Sequence, residues 1–526
     1  MISTQNKREL YIFLGLGLFA TLLLFFVSSD SYTHDLYNKV DSAWFYMCGK
    51  AWMEGLTPYV DFADSKGPLL WLIYGIGYLL NPYNYLGVFW ISCLWYSFTL
   101  YFTYKAAQIF LKDTRRSVIC AMLMALCYLH PWYHNEVRAE DFALLFMVIS
   151  LYAVCKMLYE TELTVKTRNR LMAALGASCS LLFLIKFNLA LMQFGFILAA
   201  TYFIIHKRWG VKPFMWIVVG GIFALLPFAI YFIAEGNLLP FLQEYIFNTV
   251  QTVSGDSSFI QKIYYTLFSY LINRKCAHIL ALIALSLWGA ICLANKLNRY
   301  RYAPLLCVCY VFAVNIIHPT YYSYALCTFT LLFLIAWAIK EFTFFSRILS
   351  TTLIVGATTF LCVFTTGFLI EYNLLYRPMF WRNKVEQKAF YDMNYIINQV
   401  QTPTLLNAAC FEYGIGIFSQ TLPACKYWAL QNGATQQMKD DQKQCVLDQK
   451  ADFIYAHYPT KLKDINVTID DIINAGYIEC YKWVDAESKE HILYSKHHLL
   501  KSPPKSLDIT IKDVLTKRTD FDWLIK

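Results

Sequence analysis

Apolar stretches long enough to cross a lipid bilayer recur along most of this chain, from about residue 11 to about residue 371. A helix needs roughly 20 apolar residues to span the hydrocarbon core. Of the 526 residues, 58% are hydrophobic and only 15% are charged. This balance excludes an ordinary soluble protein and is typical of a mainly α, polytopic membrane protein.

The spacing of the stretches predicts about eleven transmembrane helices. We place them at residues 11–27, 85–109, 117–130, 142–158, 171–185, 187–205, 213–234, 277–294, 302–317, 321–339 and 348–370. Short loops between them carry Lys7–Arg8, Lys112–Arg116, Lys166–Arg170, His206–Lys212, Lys296–Arg301 and Lys340–Arg347, which the positive-inside rule assigns to the cytoplasm. The net charge of +9 therefore reflects membrane orientation, and no nucleic-acid partner is expected.

This topology places the N-terminus in the cytoplasm and the loops 28–84, 131–141, 235–276 and 318–320 outside, together with everything after residue 371. It requires that Pro68–Leu80, too short to cross, form an interfacial or re-entrant helix. It also requires that Leu171–Ile205 form two spans, because one helix of that length would measure about 50 Å against a core of about 30 Å. We expect the break near Lys186, on the outer side.

Two domains are predicted. Residues 1–371 form the membrane domain, and its first external loop, 28–84, contains an amphipathic helix from Asp41 to Glu54 that could lie on the membrane surface. Residues 372–526 form a small external α/β domain, with a helix at 385–400 and strands at 404–409, 452–458, 477–484 and 491–495.

Most of the 16 cysteines lie in apolar spans, where cysteine behaves as a small hydrophobic residue. The predicted external domain contains Cys410, Cys425, Cys445 and Cys480. In an oxidising compartment these could form one or two disulfides, and buried free thiols are an equally good interpretation.

Ionisable residues at the ends of spans are candidates for function because their burial is costly. Here they gather on the external side, where they could converge on one cavity: Asp41, Asp61, Asp64, Lys66, Arg138, Glu140, Asp141, Lys186 and His318.

Each candidate also has a structural alternative. Asp41 could act as a general base toward an acceptor hydroxyl, or it could stabilise the start of its helix. Asp61 and Asp64 are more typical of turn residues. Lys66 could bind a phosphate or extend toward lipid headgroups. Lys186 has no carboxylate near it in sequence, so its partner is either a lipid phosphate or a side chain such as Glu140 or Asp141.

Two further groups complete the candidate site. Arg138, Glu140 and Asp141 open a span, where the two acidic residues are candidate catalytic groups and Arg138 is a candidate substrate contact. The alternative is helix capping, because acidic residues in a first turn also suit the helix dipole. His318, Tyr321 and Tyr322 form a turn between two spans, where they could donate hydrogen bonds to phosphate or sugar oxygens. An interfacial aromatic belt would explain the tyrosines well and the histidine less well.

Motifs for soluble cofactors are missing from the sequence. It contains no phosphate loop, no dinucleotide fingerprint, no HExxH and no CxxC pair of zinc type. No cofactor is therefore predicted, although a divalent metal stays an open alternative because carboxylates alone do not identify one. An activated donor must come from the membrane or be small.

The order of these motifs resembles the polyprenyl-phosphate-dependent glycosyltransferases of the GT-C class. The likeness is greatest to bacterial relatives of protein O-mannosyltransferases and of the aminoarabinose transferases that modify lipid A. The matching elements are Asp41, Gly55 to Tyr59, Lys66–Pro68, Glu140–Asp141, Lys186 and His318 to Tyr322. One departure is Ser42, which follows Asp41 where many relatives have a glutamate, so a metal or sugar contact from that glutamate is in doubt.

The resemblance implies a GT-C fold and an inverting transfer of a sugar from a polyprenyl-phosphate donor on the extracytoplasmic face of the cell membrane. The acceptor would be lipid-linked, a polysaccharide or a protein. Two alternatives stay open. A flippase or other transporter would need a polar path across the bilayer, whereas these charges cluster on one side. A polysaccharide polymerase would share the donor but would seldom carry such a C-terminal domain.

Overall fold

The computed structural model describes residues 4–28, 30–31, 40–128, 137–160, 162–248, 261, 264, 285–293, 302–317, 323–339, 384–430, 434–485 and 488–500. Within these ranges the protein is mostly helical. Up to residue 338 the helices are α1 (Thr4–Val27), α2 (Asp41–Met53), α3 (Pro68–Leu80), α4 (Leu86–Leu111), α5 (Thr114–Tyr128), α6 (Ala139–Tyr159), α7 (Val165–Ile185), α8 (Phe187–His206), α9 (Lys212–Ala234), α10 (Leu238–Phe241), α11 (Tyr302–Ile317) and α12 (Ser323–Ala338). A π-helical segment, Leu242–Asn248, directly follows α10.

Six of the described helices are long and apolar enough to cross a membrane, which supports a multi-pass membrane protein. They are Thr4–Phe26, Leu86–Leu111, Ala139–Tyr159, Val165–Ile185, Phe187–His206 and Lys212–Ala234. Each coincides with a predicted span. The shorter helices α5, α11 and α12 coincide with three more. The full set of eleven stays a prediction, because 348–370 and most of 277–294 lie outside the described residues.

The predicted break in the long apolar run at 171–205 is confirmed. Lys186 has an extended backbone, with φ −157° and ψ 112°, and it is both the residue that ends α7 and the residue that precedes α8. The two helices pack against each other and against α6. The short helix α3 also has the predicted bounds, with Pro68 in its first turn, where the missing proline N–H is not needed.

The C-terminal region contains a five-stranded mixed sheet. Its elements are α13 (Lys384–Ile397), β1 (Thr404–Asn407), α14 (Ile415–Phe418), β2 (Leu422–Pro423), α15 (Gln436–Leu447), β3 (Phe453–Ala456), a 3-10 helix (Pro459–Ile465), α16 (Ile469–Asn474), β4 (Tyr477–Val484) and β5 (Glu490–Lys496). The strand order is β2-β1-β3-β5-β4. β2, β1 and β3 are parallel, and β5 is antiparallel to both β3 and β4.

Burial along the strands follows their position in the sheet. All four residues of β3 are buried, as expected for a parallel strand covered on both faces. In the edge strand β4 only Tyr477 and Cys480 are buried, and a register shift lies between Glu479 and Tyr481. The four predicted strands are confirmed, and only the two-residue β2 lay outside the predicted set.

The chain divides into two compact units. The first contains residues 1–28, 91–231 and 256–375, and the second contains residues 29–90, 232–255 and 376–526. The second unit therefore combines the C-terminal sheet with residues 29–90 and with the segment around the π-helix.

Protein covers helix α2 on all sides, whereas the sequence predicted an amphipathic helix with one polar face. Every residue from Ser42 to Ala51 is buried. Within the same unit α2 packs on α3, with Phe45 against Tyr74 at 5.6 Å between ring centroids, and Trp44 packs on Trp428 at 5.5 Å. The prediction missed this because the covering residues are distant in sequence.

Candidate functional site

In the first unit, Lys186 and Glu140 form an ion pair at the ends of three helices. The Nζ atom of Lys186 lies 2.5 Å from Oε1 of Glu140, and the two side chains are 16% and 8% exposed. Glu140 is in the first turn of α6, and Lys186 is the residue at the break between α7 and α8. The sequence left two kinds of partner for Lys186, a lipid phosphate or a carboxylate, and the structure shows the carboxylate of Glu140. A lysine held by one nearly buried carboxylate can still approach a second anion.

Asp141 and Arg138 shape the start of α6. The backbone N–H of Arg138 donates to Oδ2 of Asp141 at 2.9 Å. Two acidic residues in a first turn also interact favourably with the helix dipole. Asp141 therefore has the structural role that was its alternative interpretation, while its neighbour Glu140 points to Lys186.

In the second unit, Lys66 and Asp64 lie together before α3. The Nζ atom of Lys66 is 3.8 Å from Oδ1 of Asp64 and 3.1 Å from Oγ of Ser65. It also lies over the ring of Phe45, 5.7 Å from the centroid. The tyrosine of the Gly55–Tyr59 element donates its hydroxyl to the carbonyl of Lys66 at 2.9 Å. The two sequence elements are thus joined directly.

Asp41 and Asp61 differ in setting. Asp41 is the first residue of α2 and is partly exposed, at the start of a buried helix. Asp61 accepts the backbone N–H of Thr57 at 2.7 Å, which is the turn role expected for it. His318, Tyr321 and Tyr322 lie outside the described residues.

The buried charged residues of the second unit that the sequence analysis missed include Lys50, Glu244 and Glu412. Their exposures are 2%, 6% and 0%. Glu244, in the π-helical segment, accepts a hydrogen bond from the hydroxyl of Tyr427 at 2.8 Å and lies 2.6 Å from Nζ of Lys426. Lys50 gave no usable signal, because in the predicted helix it lies on the side opposite Trp44, Cys48 and Trp52, where an exposed lysine is expected.

Metal ligation finds no support among the residues that the structure describes, where no three His, Cys, Asp or Glu side chains form a group suited to a metal ion. The four cysteines of the C-terminal region, Cys410, Cys425, Cys445 and Cys480, are free thiols.

Residues 65–232 match the family model described as dolichyl-phosphate-mannose-protein mannosyltransferase. This range includes Lys66, Arg138, Glu140, Asp141 and Lys186. No protein of curated function matches the sequence.

The fold is similar to that of ArnT from Cupriavidus metallidurans. The crystal structure of that protein bound to undecaprenyl phosphate has a TM-score of 0.60 and 13% sequence identity, and the match covers 94% of this chain and 99% of that chain. Its apo structure has a TM-score of 0.58, 13% identity, and coverage of 92% and 97%. The resemblance of this chain to the polyprenyl-phosphate-dependent glycosyltransferases of the GT-C class is therefore confirmed, by a family match within the membrane part and by a fold shared along nearly the whole chain.

Proposed function

We propose that this protein transfers a sugar from a polyprenyl-phosphate donor to an acceptor on the extracytoplasmic face of the membrane, with inversion at the anomeric carbon. The observation that carries the proposal is the fold shared with a protein that was crystallised with undecaprenyl phosphate. The topology we adopt is the one predicted from the basic loops, with a cytoplasmic N-terminus and the C-terminal sheet outside.

Lys186 is the proposed principal contact for the donor phosphate. Its ammonium group is held by Glu140 at 2.5 Å, so a phosphate oxygen that binds it meets a cation already oriented. Negative charge grows on the phosphate as the sugar leaves, and a fixed cation stabilises that charge. Lys66, Arg138 and His318 are proposed to assist, and Tyr321 and Tyr322 to donate hydrogen bonds to the donor.

Asp41 is the proposed general base. Its carboxylate would accept the proton of the acceptor hydroxyl while the hydroxyl oxygen bonds to the anomeric carbon and the bond from that carbon to the phosphate oxygen breaks. One step of this kind inverts the anomeric centre. Glu140 and Asp141 are proposed to act through the orientation of Lys186 and of helix α6, so neither needs to accept a proton.

Mass spectrometry of surface glycolipids and glycans, from cells with and without the gene, tests the proposal at the level of function. We expect one sugar-bearing species to disappear without the protein and to return with the wild-type chain. We expect Asp41→Asn to fail in this complementation at normal membrane abundance. Asp113→Asn is the matched control, because Asp113 is half-exposed and lies in a predicted cytoplasmic loop. Full complementation by Asp41→Asn would remove Asp41 from the mechanism.

Donor binding gives a second, independent test with undecaprenyl phosphate as the probe. We expect Lys186→Met to weaken its binding to the purified protein by about tenfold or more, since one charge-assisted contact contributes about 1.5–3 kcal/mol. Lys105→Met is the control, because Lys105 also pairs with a glutamate, Glu9 at 3.3 Å. Equal affinity in the two variants would contradict the role of Lys186.

A further inference from the structure

Lys50, Gly416 and Glu412 form a buried polar connection between helix α2 and the C-terminal sheet. The Nζ atom of Lys50 donates to the carbonyl oxygens of Ser419 at 2.6 Å and Gly416 at 3.1 Å. The N–H of Gly416 donates to Oε1 of Glu412 at 3.1 Å. Gly416 thus accepts a hydrogen bond from Lys50 through its carbonyl oxygen and donates one to the carboxylate of Glu412 through its N–H. We call these three residues the latch.

The two charges of the latch compensate each other. A buried ammonium group is costly unless hydrogen bonds and an opposite charge surround it. Glu412 also accepts the N–H of Gly414 at 2.8 Å and the side-chain amide of Asn407 at 2.5 Å. Burial raises the pKa of Glu412, and these hydrogen bonds together with the charge of Lys50 partly offset that rise.

Steric fit makes the connection specific. A Cβ atom added to Gly416 would collide with the side chain of Met47, which is on α2 one turn before Lys50. Glycine at 416 therefore lets the short helix α14 pack closely against the Met47 side chain of α2.

The latch adjoins the candidate site residues of the same unit. Cys48, on α2, is fully buried, and its thiol lies within electrostatic range of Asp64, Lys66 and Glu412. Lys66 in turn lies over the ring of Phe45, also on α2. Helix α2 thus carries Asp41 at its start, the packing surface of Lys66 in its middle and Lys50 near its end.

We propose that the latch positions helix α2 for transfer, so that Lys50, Glu412 and Gly416 are positioning residues for Asp41 and Lys66. The inference rests on the proposed function, because it takes Asp41 as the base. The proposal gives the C-terminal domain a role, because this domain fixes the position of helix α2, which carries the proposed base Asp41. The three residues contact neither the donor nor the acceptor.

Lys50→Gln tests the proposal, because glutamine keeps a donor for one carbonyl and removes the charge. We expect faster hydrogen exchange in both 41–53 and 412–419, by about tenfold or more, since local opening of the two segments is coupled. We expect kcat to fall by about 10- to 100-fold, the range for a catalytic group displaced by about 1 Å. The KM for the donor should change far less than kcat. Lys388→Met is the control, because Lys388 pairs with Asp392 at 2.8 Å within α13 and is not part of the latch.

Unchanged exchange in 412–419, or a kcat equal to that of the Lys388→Met control, would overturn the proposal. If Lys50→Gln does not accumulate in membranes, Gly416→Ala is measured in its place, because the added methyl group would collide with Met47. The double variant Gly416→Ala/Met47→Ala is measured beside it, because the smaller side chain at 47 makes room for that methyl group. Recovery of kcat in the double variant supports the latch, and no recovery overturns it. If the wild-type protein transfers no sugar, the proposed function fails, whereas the exchange measurement still decides whether the latch exists.

Discussion

Lys186 and Glu140 are 46 residues apart in the sequence and form the shortest ion-pair contact among the described residues, at 2.5 Å. The lysine belongs to a helix break, and the glutamate to the first turn of another helix. Because both side chains are largely buried, neither charge is well solvated without the other.

Removing one member of this pair should destabilise the protein more than removing both. We expect Lys186→Met to cost about 3–5 kcal/mol, because it leaves the carboxylate of Glu140 buried and unpaired. The double variant Lys186→Met/Glu140→Gln should recover most of this loss. Thermal unfolding in detergent measures both effects.

A more exposed pair provides the control for that measurement. Lys105 and Glu9 lie 3.3 Å apart, with 27% and 24% of their side chains exposed. Lys105→Met should cost no more than about 1 kcal/mol. A double variant as unstable as Lys186→Met alone would show that the loss does not come from an unpaired Glu140 carboxylate.

Close packing of α7 on α9 depends on Gly176. A Cβ atom there would collide with the backbone carbonyl of Ile217. We expect Gly176→Ala to cost about 1–3 kcal/mol, the usual penalty for overpacking. Gly15→Ala is the matched control, because a Cβ atom on Gly15 in α1 meets nothing within 4 Å. That substitution should stabilise its helix slightly, and equal effects of the two would argue against the close contact.

The C-terminal domain should lose stability in acid through His457. Burial, with His491, Lys461 and Lys489 nearby and Asp485 acting in the opposite direction, lowers the pKa of His457 from 6.5 to about 3. Between these two pH values the unfolded chain binds a proton at His457 that the folded domain does not. Stability is therefore fully present above pH 6.5 and falls as the pH is lowered through this window.

Hydrogen exchange of β3 and β5 at pH 7 and pH 5, corrected for intrinsic rates, measures this effect. We expect His457→Gln to reduce the acid sensitivity, and replacement of the exposed His498 by glutamine to leave it unchanged. Burial also lowers the pKa of His491, with Asp485 opposing, so part of the sensitivity should remain. An unaltered pH dependence in His457→Gln would contradict the assignment.

Glu244 should couple the π-helical segment to the C-terminal sheet. Its carboxylate accepts the hydroxyl of Tyr427 and contacts Lys426. We expect Glu244→Gln to cost about 1–3 kcal/mol, the range for a disrupted buried hydrogen bond. In a double-mutant cycle with Tyr427→Phe the coupling should reach about 0.5–3 kcal/mol. Glu235→Gln, at an exposed position, is the control. If the effects of Glu244→Gln and Tyr427→Phe on the free energy of unfolding are additive in the double variant, the two side chains are not coupled.

Local patterns explain which parts of this fold could be predicted. The apolar runs and the basic loops predicted the described spans, and the excess length of 171–205 predicted the break at Lys186. The strand β4 was predicted with its observed bounds, Tyr477–Val484, because a run rich in apolar and aromatic residues is a property of consecutive residues.

Contacts between distant segments explain what could not be predicted. The surroundings of Lys50 come from residues 366 and 369 positions later, and no local pattern indicates such a partner. For the same reason α2 was expected to have an exposed polar face. For Lys186 the sequence narrowed the partner to a phosphate, Glu140 or Asp141, and only the fold distinguishes the two carboxylates.

The latch also has a consequence for biosynthesis. Lys50 and its acceptor Gly416 are separated by 366 residues, and ribosomes add about 5–20 residues per second. The segment that covers helix α2 is therefore synthesised roughly 20 to 70 seconds after the helix itself. During this interval its aromatic surface is open to chaperones and proteases. A chain that ends before the sheet would never bury this surface, so quality control has a direct way to recognise incomplete copies.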